Sequence, residues 1–477
     1  MKKRLIGFVL TFAVLLGCVA ALPPVLQMTL PAVYGESYYA ALQDKQMILR
    51  DTPSENGRVI LLGGSGVAFS VNSALLEREI GRPVVNFGLY AAFGSRYIFD
   101  LAAEEIHAGD LVILCPELSS QTCSLYFGAD AFLQASENAP ALLKGLRPSD
   151  LPKIYAAFPD YIVKKLGFLA ENKEIRPDGV YKRSAFDDRG DLVFPRTENR
   201  MEGYYQKGSE PDITPAIFSE DFLDYLNRYA AKLEKKGAKA LFAFPFMNAL
   251  STANTEKEQA ALTAFLQEKL DFPLLAGFDG RVMDAGYFYD SNYHTNDAGT
   301  VAATVTLARD IKRYYGDMTP PVTAVPDPLP LGGQEGEERQ SEDGCYRYRL
   351  RDGNATLLAV QATAAAAKTL TLPAEIDGYP LTALAAGSLR DLAAESIFLP
   401  ATVESLGGGL FAGCANLREV HIARDTDLPA VGDDLLDGAD AREELKIFVS
   451  PKLYGDYTTD YFWLAYSRNL QKEETEK

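Results

Sequence analysis

Histidine, tryptophan and cysteine are scarce in this chain, which holds three histidines, one tryptophan and five cysteines among 477 residues. The cysteines lie at positions 18, 115, 123, 345 and 414 and form no CxxC pair, so neither a zinc site nor a disulfide framework is supported. Basic residues are outnumbered, 47 against 65 acidic ones, for a net charge of −18. This balance argues against a nucleic-acid-binding protein, which needs a basic surface, and against general attraction to an anionic membrane.

The N-terminal segment 1–34 is predicted to be a signal anchor that crosses the membrane once. Lys2, Lys3 and Arg4 precede residues 5–22, an uncharged apolar run just long enough to span a bilayer. Two alternatives stay open: a cleaved signal peptide, and a lipoprotein signal in which Cys18 follows Leu-Leu-Gly. All three predict that the rest of the chain lies outside the cytoplasm, held at the cell membrane by an anchor or a lipid on Cys18, or secreted after cleavage.

Strand-like and helix-like segments alternate after a predicted helical stalk at 35–56. The run RVILLGG predicts a buried strand that ends in glycines, and PVVNFG and DLVILCPE predict two more strands with helices between them. This order indicates a parallel sheet with helices on both faces. The pattern covers residues 57–316, interrupted by an aromatic-rich insertion at about 120–215. Single aromatics in that insertion are expected to pack it onto the sheet, although the set would also suit stacking on sugars.

The C-terminal part of the chain is predicted to be a separate domain. Residues 317–343 are rich in proline, then in glycine and acid, which is typical of a linker. In residues 344–477 apolar positions recur with a period in the twenties, which predicts a short solenoid. The stretch LPATVESLGGGLFAGCANLREVHI resembles the BspA-type leucine-rich repeat. That resemblance implies adhesion or contact with a protein partner; the alternative is a purely structural appendage.

Ser65 follows the first predicted strand and opens a helix, a position that can expose a hydroxyl at the carboxyl edge of a parallel sheet. A serine needs a base to become a nucleophile. Of the three histidines, His107 lies at a helix end and His421 lies in the repeats. His294 precedes the last helix of the α/β region, and Asp290 is four residues upstream, close enough to orient its imidazole. We therefore expect Ser65 and His294 to converge.

The blocks GGSG, VVNFG and DSNYH together resemble the SGNH (GDSL-type) hydrolase superfamily. The resemblance is nearest to the membrane-anchored branch of alginate O-acetylation and teichoic-acid D-alanylation. It implies a flavodoxin-like three-layer α/β/α fold. It also implies catalytic roles for Ser65 as nucleophile, His294 as base and Asp290 as its partner, with Ser65 and Gly88 forming the oxyanion hole. Asn86 is a further candidate donor to that hole.

The chain departs from the family at three places. Gly64 stands where the family has an aspartate, the spacing between Asp290 and His294 is one residue longer than the common pattern, and no GxND block is present. Glu117 lies roughly where that asparagine would fall, but a carboxylate is a poor donor to an anion.

The sequence thus predicts an extracytoplasmic serine esterase or O-acyltransferase that acts on acyl groups of a wall or capsular polysaccharide. No metal or organic cofactor is expected, and no nucleic-acid partner. The membrane would be contacted through the N-terminal segment. Two other functions remain open: a catalytically inactive surface interaction protein that uses its repeats, and an accessory protein of polysaccharide export.

Overall fold

A computed structural model describes residues 22–170, 173, 175, 179–252, 256–331, 337–351, 353–432, 435–436, 438–439, 444–458, 460 and 463–473. Most of the predicted signal anchor, including Cys18, lies outside these residues. Among the residues described, no helix is both long enough and apolar enough to cross a membrane. The chain divides into two compact units, residues 1–331 and 332–477.

A parallel sheet organises the first unit. Its strands are β1 (Val59–Gly63), β2 (Val84–Asn86), β3 (Leu111–Cys115) and β4 (Lys239–Phe242), in the order β2-β1-β3-β4. All five residues of β1 are buried, as expected of a strand with neighbours on both sides. Val59 pairs with Val84 on one side and with Leu111 on the other. The predicted α/β class with a parallel sheet is confirmed in this unit.

Short strands outside this sheet carry part of the site described below. They are β5 (Met247–Asn248), β6 (Val282–Met283), β7 (Phe288–Ser291) and β8 (His294–Thr295). Strands β5 and β6 pair in parallel, and β7 and β8 form an antiparallel hairpin.

The α-helices of the first unit follow the predicted alternation. They are α1 (Ala41–Asp51), α2 (Ser65–Ser70), α3 (Ser73–Ile80), α4 (Ser95–Ala102), α5 (Ala129–Ala135), α6 (Leu151–Ala170), α7 (Glu220–Lys235), α8 (Glu256–Lys269) and α9 (Asp297–Tyr314). Residues 22–29 are also helical. Single 3₁₀ turns lie at Tyr38–Ala40, Ala91–Phe93, Ala103–Glu105, Pro140–Gly145, Pro148–Asp150, Arg183–Ala185, Glu202–Tyr204, Pro215–Ile217, Ala249–Ser251 and Ala285–Tyr287. The insertion therefore consists of α5, α6 and loops with 3₁₀ turns.

Side-chain caps fix where several of these helices begin. Ser219 accepts a hydrogen bond from the Phe222 N–H at the start of α7 and so caps that helix. Asn296 accepts one from the Gly299 N–H at the start of α9. The second cap matters for the site because α9 follows β8 directly and so holds the β7–β8 hairpin in place.

The segment 35–56, predicted to be a stalk, is packed into the first unit. Tyr38, Leu42 and Leu49 are fully buried. Lys45 of α1 is also buried, and its Nζ donates to the carbonyl oxygen of Asn86, 3.0 Å away, at the end of β2. This segment is therefore part of the core of the first unit.

The predicted linker also makes defined contacts. The backbone N–H groups of Val322 and Thr323 donate to the Glu79 carboxylate of α3 at 3.0 and 2.9 Å. Further along, the Leu329 N–H donates to the Gly286 carbonyl at 3.0 Å. Residues 317–331 thus follow the surface of the first unit, whereas Glu337–Gln340 already forms a strand of the second.

Two sheets build the second unit. The first has five parallel strands in the order β12 (Thr369–Thr371), β15 (Ser396–Leu399), β17 (Glu419–Ile422), β19 (Lys446–Val449) and β20 (Leu470–Lys472). The second contains β9 (Glu337–Gln340), β10 (Tyr346–Arg351), β11 (Asn354–Val360), β14 (Tyr379–Leu384), β16 (Ser405–Leu406) and β18 (Ala430–Val431), with β13 (Glu375–Ile376) paired to β14. Short helices α10 (Ala362–Ala365) and α11 (Tyr454–Tyr457) and a 3₁₀ turn at Trp463–Tyr466 complete the unit.

The parallel strands of the second unit repeat the same pattern of burial. In β15, β17 and β19 the second and fourth residues are buried and the first and third are more exposed. The inward residues join one apolar core, for example Ile397, Val420 and Ile447, which are neighbours in register. These three strands begin at residues 396, 419 and 446, in keeping with the predicted period in the twenties.

Candidate functional site

Ser65 lies at the first position of α2, directly after β1 and the glycine pair Gly63-Gly64. The side chain is buried, and its hydroxyl donates to Oε1 of Glu117 at 3.1 Å. The same carboxylate oxygen accepts the backbone N–H of Gly66 at 2.6 Å. Glu117 follows the end of β3, the strand that lies beside β1, so the sheet itself brings the carboxylate to the serine.

The glycine turn before Ser65 is required by crowding. A Cβ atom at Gly64 would lie 2.8 Å from the Glu117 Oε1 atom and 3.1 Å from the Ala91 nitrogen. A Cβ atom at Gly63 would lie 2.5 Å from the carbonyl oxygen of Cys115. The chain therefore reaches Ser65 through a space that admits only backbone.

The β7–β8 hairpin holds His294 against Asp290. The His294 Nδ1 atom lies 2.7 Å from Oδ1 of Asp290, and the imidazole is buried. The turn of this hairpin is anchored by Asn292, a fully buried residue whose amide donates to the carbonyl oxygens of Gln206 and Ser209. A carboxylate on Nδ1 fixes the tautomer in which Nε2 can accept a proton, which is the arrangement of a general base.

Tyr181, from the insertion, contacts both residues of this pair. Its hydroxyl donates to Oδ2 of Asp290 at 2.8 Å and lies 3.3 Å from the His294 Nδ1 atom. Burial, and then the negative charge of Asp290, raise the pKa of Tyr181 well above its usual range. The phenol therefore stays protonated and serves as a permanent donor to the carboxylate, which leaves the other carboxylate oxygen for His294.

Phe69 connects the histidine to the helix of the serine. The rings of Phe69 and His294 are stacked, with centroids 3.9 Å apart and planes 10° from parallel. Phe69 is four residues after Ser65 in α2 and so lies on the same face of that helix. The carbonyl oxygen of Phe69 accepts hydrogen bonds from Thr295 and Thr300, both at 2.8 Å, which ties α2 to the chain that follows His294.

Ser65 and His294 are thus brought to one corner of the fold, each with its own acidic partner. Among the described residues, no hydrogen bond joins the Ser65 hydroxyl to His294; the hydroxyl is bonded to Glu117 instead. Rotation of the serine side chain between staggered positions would release it from Glu117. Hydrogen bonds between catalytic groups are often formed only in the complex with substrate.

The predicted oxyanion-hole residues Gly88 and Asn86 are engaged with each other. The Gly88 N–H donates to Oδ1 of Asn86 at 3.1 Å. The Asn86 amide nitrogen makes longer contacts of 3.3 to 3.5 Å with Asp191 and with the carbonyl oxygens of Val67 and Val71. Gly88 and Asn86 are thus bonded to each other and to the chain around α2. The backbone N–H that donates to a negatively charged oxygen is that of Gly66.

Two residues of the site are not indicated by the sequence. Tyr181 is one of many aromatic residues in the insertion, and Phe69 lies in a short helix with no motif around it. The sequence places Glu117 after the third strand but does not predict its contact with Ser65. The adjacency of β1 and β3 could have predicted the contact of Glu117 with Ser65, because residues that follow neighbouring parallel strands meet at the same edge of the sheet.

A cysteine also lies near this corner. Burial raises the pKa of the nearby Cys115 thiol to about 12, so the thiol remains protonated and unreactive near neutral pH. Within the described ranges, no group of three or more histidine, cysteine, aspartate or glutamate side chains is arranged to hold a metal ion.

Neither a protein-family model nor a curated protein is found to match this sequence.

Proposed function

We propose that the first unit is an SGNH-type domain with a flavodoxin-like fold, and that it transfers or hydrolyses acyl esters through Ser65. The observation that carries this proposal is the buried His294–Asp290 pair at 2.7 Å, stacked on Phe69 of the serine's own helix. A carboxylate-oriented imidazole beside a serine at a strand-to-helix turn is the arrangement that nucleophilic acyl transfer needs.

The chemistry proceeds in two steps. In the first, Nε2 of His294 takes the proton from Ser65 as its Oγ attacks the ester carbonyl, and the imidazolium then protonates the departing alcohol. In the second, water or a sugar hydroxyl gives its proton to His294 and attacks the acyl carbon. As the bond between that carbon and the Ser65 Oγ breaks, the imidazolium returns the proton to Oγ and restores the free hydroxyl. Asp290 stabilises the imidazolium in both steps, and Tyr181 keeps that carboxylate oriented through its 2.8 Å hydrogen bond.

The oxyanion would be stabilised at the start of α2. The Gly66 N–H already donates to a negatively charged oxygen, that of Glu117, at 2.6 Å. A tetrahedral intermediate on Ser65 would need this donor and the N–H of Ser65, because negative charge develops on the former carbonyl oxygen. The Glu117 carboxylate must therefore move away from the Gly66 N–H during the reaction.

The acyl acceptor and the setting follow from the sequence rather than from the site. We infer an extracytoplasmic domain held at the membrane by the N-terminal segment, with an acylated wall or capsular polysaccharide as substrate. The second unit would be a short leucine-rich-repeat solenoid of the BspA type, which offers a protein partner an extended surface.

The decisive experiment measures hydrolysis of p-nitrophenyl acetate by the full chain and labelling by a fluorophosphonate. Wild type should hydrolyse the ester and carry the phosphonate on Ser65, as located by mass spectrometry of peptides. Ser65→Ala and His294→Ala should each lose activity to background, whereas His107→Ala, which removes an exposed histidine, should keep it. Equal hydrolysis by wild type and Ser65→Ala, with no label on Ser65, would rule out the proposed acyl-transfer chemistry at Ser65.

One observation favours a second candidate, a surface interaction protein without catalysis. Both the hydroxyl of Ser65 and the N–H of Gly66 are occupied by Glu117, a partner that opposes an oxyanion. A negative result in the experiment above, with a folded protein, would leave this candidate as the better explanation.

A further inference from the structure

Helix α6 of the insertion turns an apolar face toward solvent. Four of its large apolar side chains are exposed: Leu151 at 45%, Tyr155 at 37%, Val163 at 68% and Leu166 at 49%. Isolated exposed apolar residues are ordinary on a protein surface, but four on one helix form a patch that marks an interaction site.

The distribution of side chains around α6 shows how complete this patch is. At 3.6 residues per turn, the exposed apolar side chains, together with the exposed Ala156 and Gly167, span roughly 160° of the circumference, with no charged residue among them. The three exposed charged residues, Lys153, Asp160 and Lys164, lie along one flank of this arc. The buried side of α6 is also largely apolar, through Ile154, Phe158 and Tyr161, so this helix lacks the polar outer face that a surface helix usually has.

The opposite side of α6 is fastened to the unit, so the outward face is fixed. Lys165 is buried and its Nζ lies 2.6 Å from Oε1 of Glu137, which also accepts the Tyr161 hydroxyl at 2.7 Å. The other oxygen of Glu137 accepts the backbone N–H groups of Val33 and Tyr34 at 2.7 and 2.8 Å. Rotating α6 to bury its apolar face would break this buried network.

The same network joins α6 to the chain that follows the uncharged N-terminal run. The ring of Tyr34 stacks on that of Tyr161, with centroids 6.0 Å apart. Just upstream, residues 22–29 are helical, and Gln27 donates to the Ser136 hydroxyl at 3.1 Å, after the end of α5. Leu22 and Val25 on this stretch are each 52% exposed. The first described residues after the uncharged run thus pack beside α5 and α6.

We propose that the outer face of α6 lies in the boundary between headgroups and acyl chains of a lipid bilayer. An apolar arc with lysines at its edge is typical of helices that lie in the membrane plane, because the lysine stems reach up to the headgroups. The tyrosine in the arc suits the same depth. With a chain of net charge −18, the contact is apolar rather than electrostatic, so it should persist at high salt. This inference is independent of the proposed ester chemistry.

The test places a fluorophore on the patch of the full chain. Val163→Trp, reconstituted in phosphatidylcholine vesicles with brominated acyl chains, should show blue-shifted emission that the bromines quench. Lys235→Trp, at an exposed position near the end of α7, should show neither. The natural Trp463 is buried in the second unit and contributes equally to both variants, so the wild-type signal is subtracted. The result should be unchanged in high salt.

Leu166→Trp provides a second probe in case Val163→Trp does not fold. Quenching of either patch variant, without quenching of Lys235→Trp, supports the proposal. If Trp at 163 and 166 is no more quenched than Trp at 235, the proposal is overturned. Two other occupants would give that result: a second copy of the chain, which would also be detected as a dimer by cross-linking in vesicles, and the chain's own residues 5–21.

Discussion

The imidazole of His294 lies flat against the phenyl ring of Phe69, with centroids 3.9 Å apart and planes 10° from parallel. Asp290 fixes one edge of the imidazole and Phe69 fixes its plane, so the ring has little freedom left. The residue that sets the plane of this imidazole thus belongs to the helix that carries Ser65.

Replacing Phe69 with leucine should weaken ester hydrolysis without abolishing it. An aromatic pair contributes about 0.5–1.5 kcal/mol beyond its buried area. If that is lost from the orientation of the base, kcat/KM should fall about two- to tenfold. The assay is p-nitrophenyl acetate hydrolysis, with thermal unfolding as a check on the core. Phe244→Leu, which removes a buried ring stacked on Phe278, is the matched control and should destabilise the unit with less effect on kcat/KM.

Glu117→Gln should raise the rate. The change keeps an oxygen to accept the Ser65 hydroxyl and the Gly66 N–H, but it removes the charge that opposes an oxyanion and adds an amide donor. We expect kcat to rise up to about tenfold, a part of the roughly 100- to 1,000-fold that one oxyanion donor contributes. A fall in kcat at unchanged stability would instead make the carboxylate a participant in proton transfer, contrary to the mechanism proposed.

Arg58→Met should destabilise the first unit strongly. Arg58 and Asp110 form a fully buried ion pair at the start of β1 and β3, with Nη2 2.7 Å from Oδ2. Removing the arginine leaves a buried carboxylate uncompensated, which costs about 3–5 kcal/mol. The double variant Arg58→Met/Asp110→Leu should recover most of that loss. Calorimetry of the full chain measures both, and an equal loss in the single and double variants would contradict this account.

Lys45 should make stability depend on pH. Burial lowers the pKa of Lys45 to about 7, whereas an unfolded lysine titrates near about 10.4. Between these values the unfolded chain binds a proton that the folded chain does not, so the free energy of unfolding rises with pH from about 7 toward 10. In Lys45→Met the rise should be smaller by this contribution. Melting temperatures at pH 7, 8 and 9 test this, with the exposed Lys235→Met as the control that should behave like wild type.

Local features of the fold could be predicted from the sequence, and long-range ones could not. The buried strand ending at Gly63, the cap at Ser219 and the four-residue spacing of Asp290 and His294 depend on neighbours in the chain. Tyr181, by contrast, reaches Asp290 across 109 residues, and no local pattern indicates which aromatic of an insertion will do so. Lys45 misleads in the same way, because lysine is rarely buried and its segment therefore suggests an exposed stalk.

Burial of the segment 35–56 limits how far Ser65 can move relative to the N-terminal segment. A flexible stalk would let Ser65 move over a range of distances that increases with the length of the stalk. Here the chain is fixed to the unit from Val33 onward, through Glu137 at one end and the core contacts of α1 at the other. The distance of Ser65 from residue 33 is therefore a fixed dimension of the folded unit, and under the proposed function and anchoring only substrates at that distance from the membrane would reach Ser65.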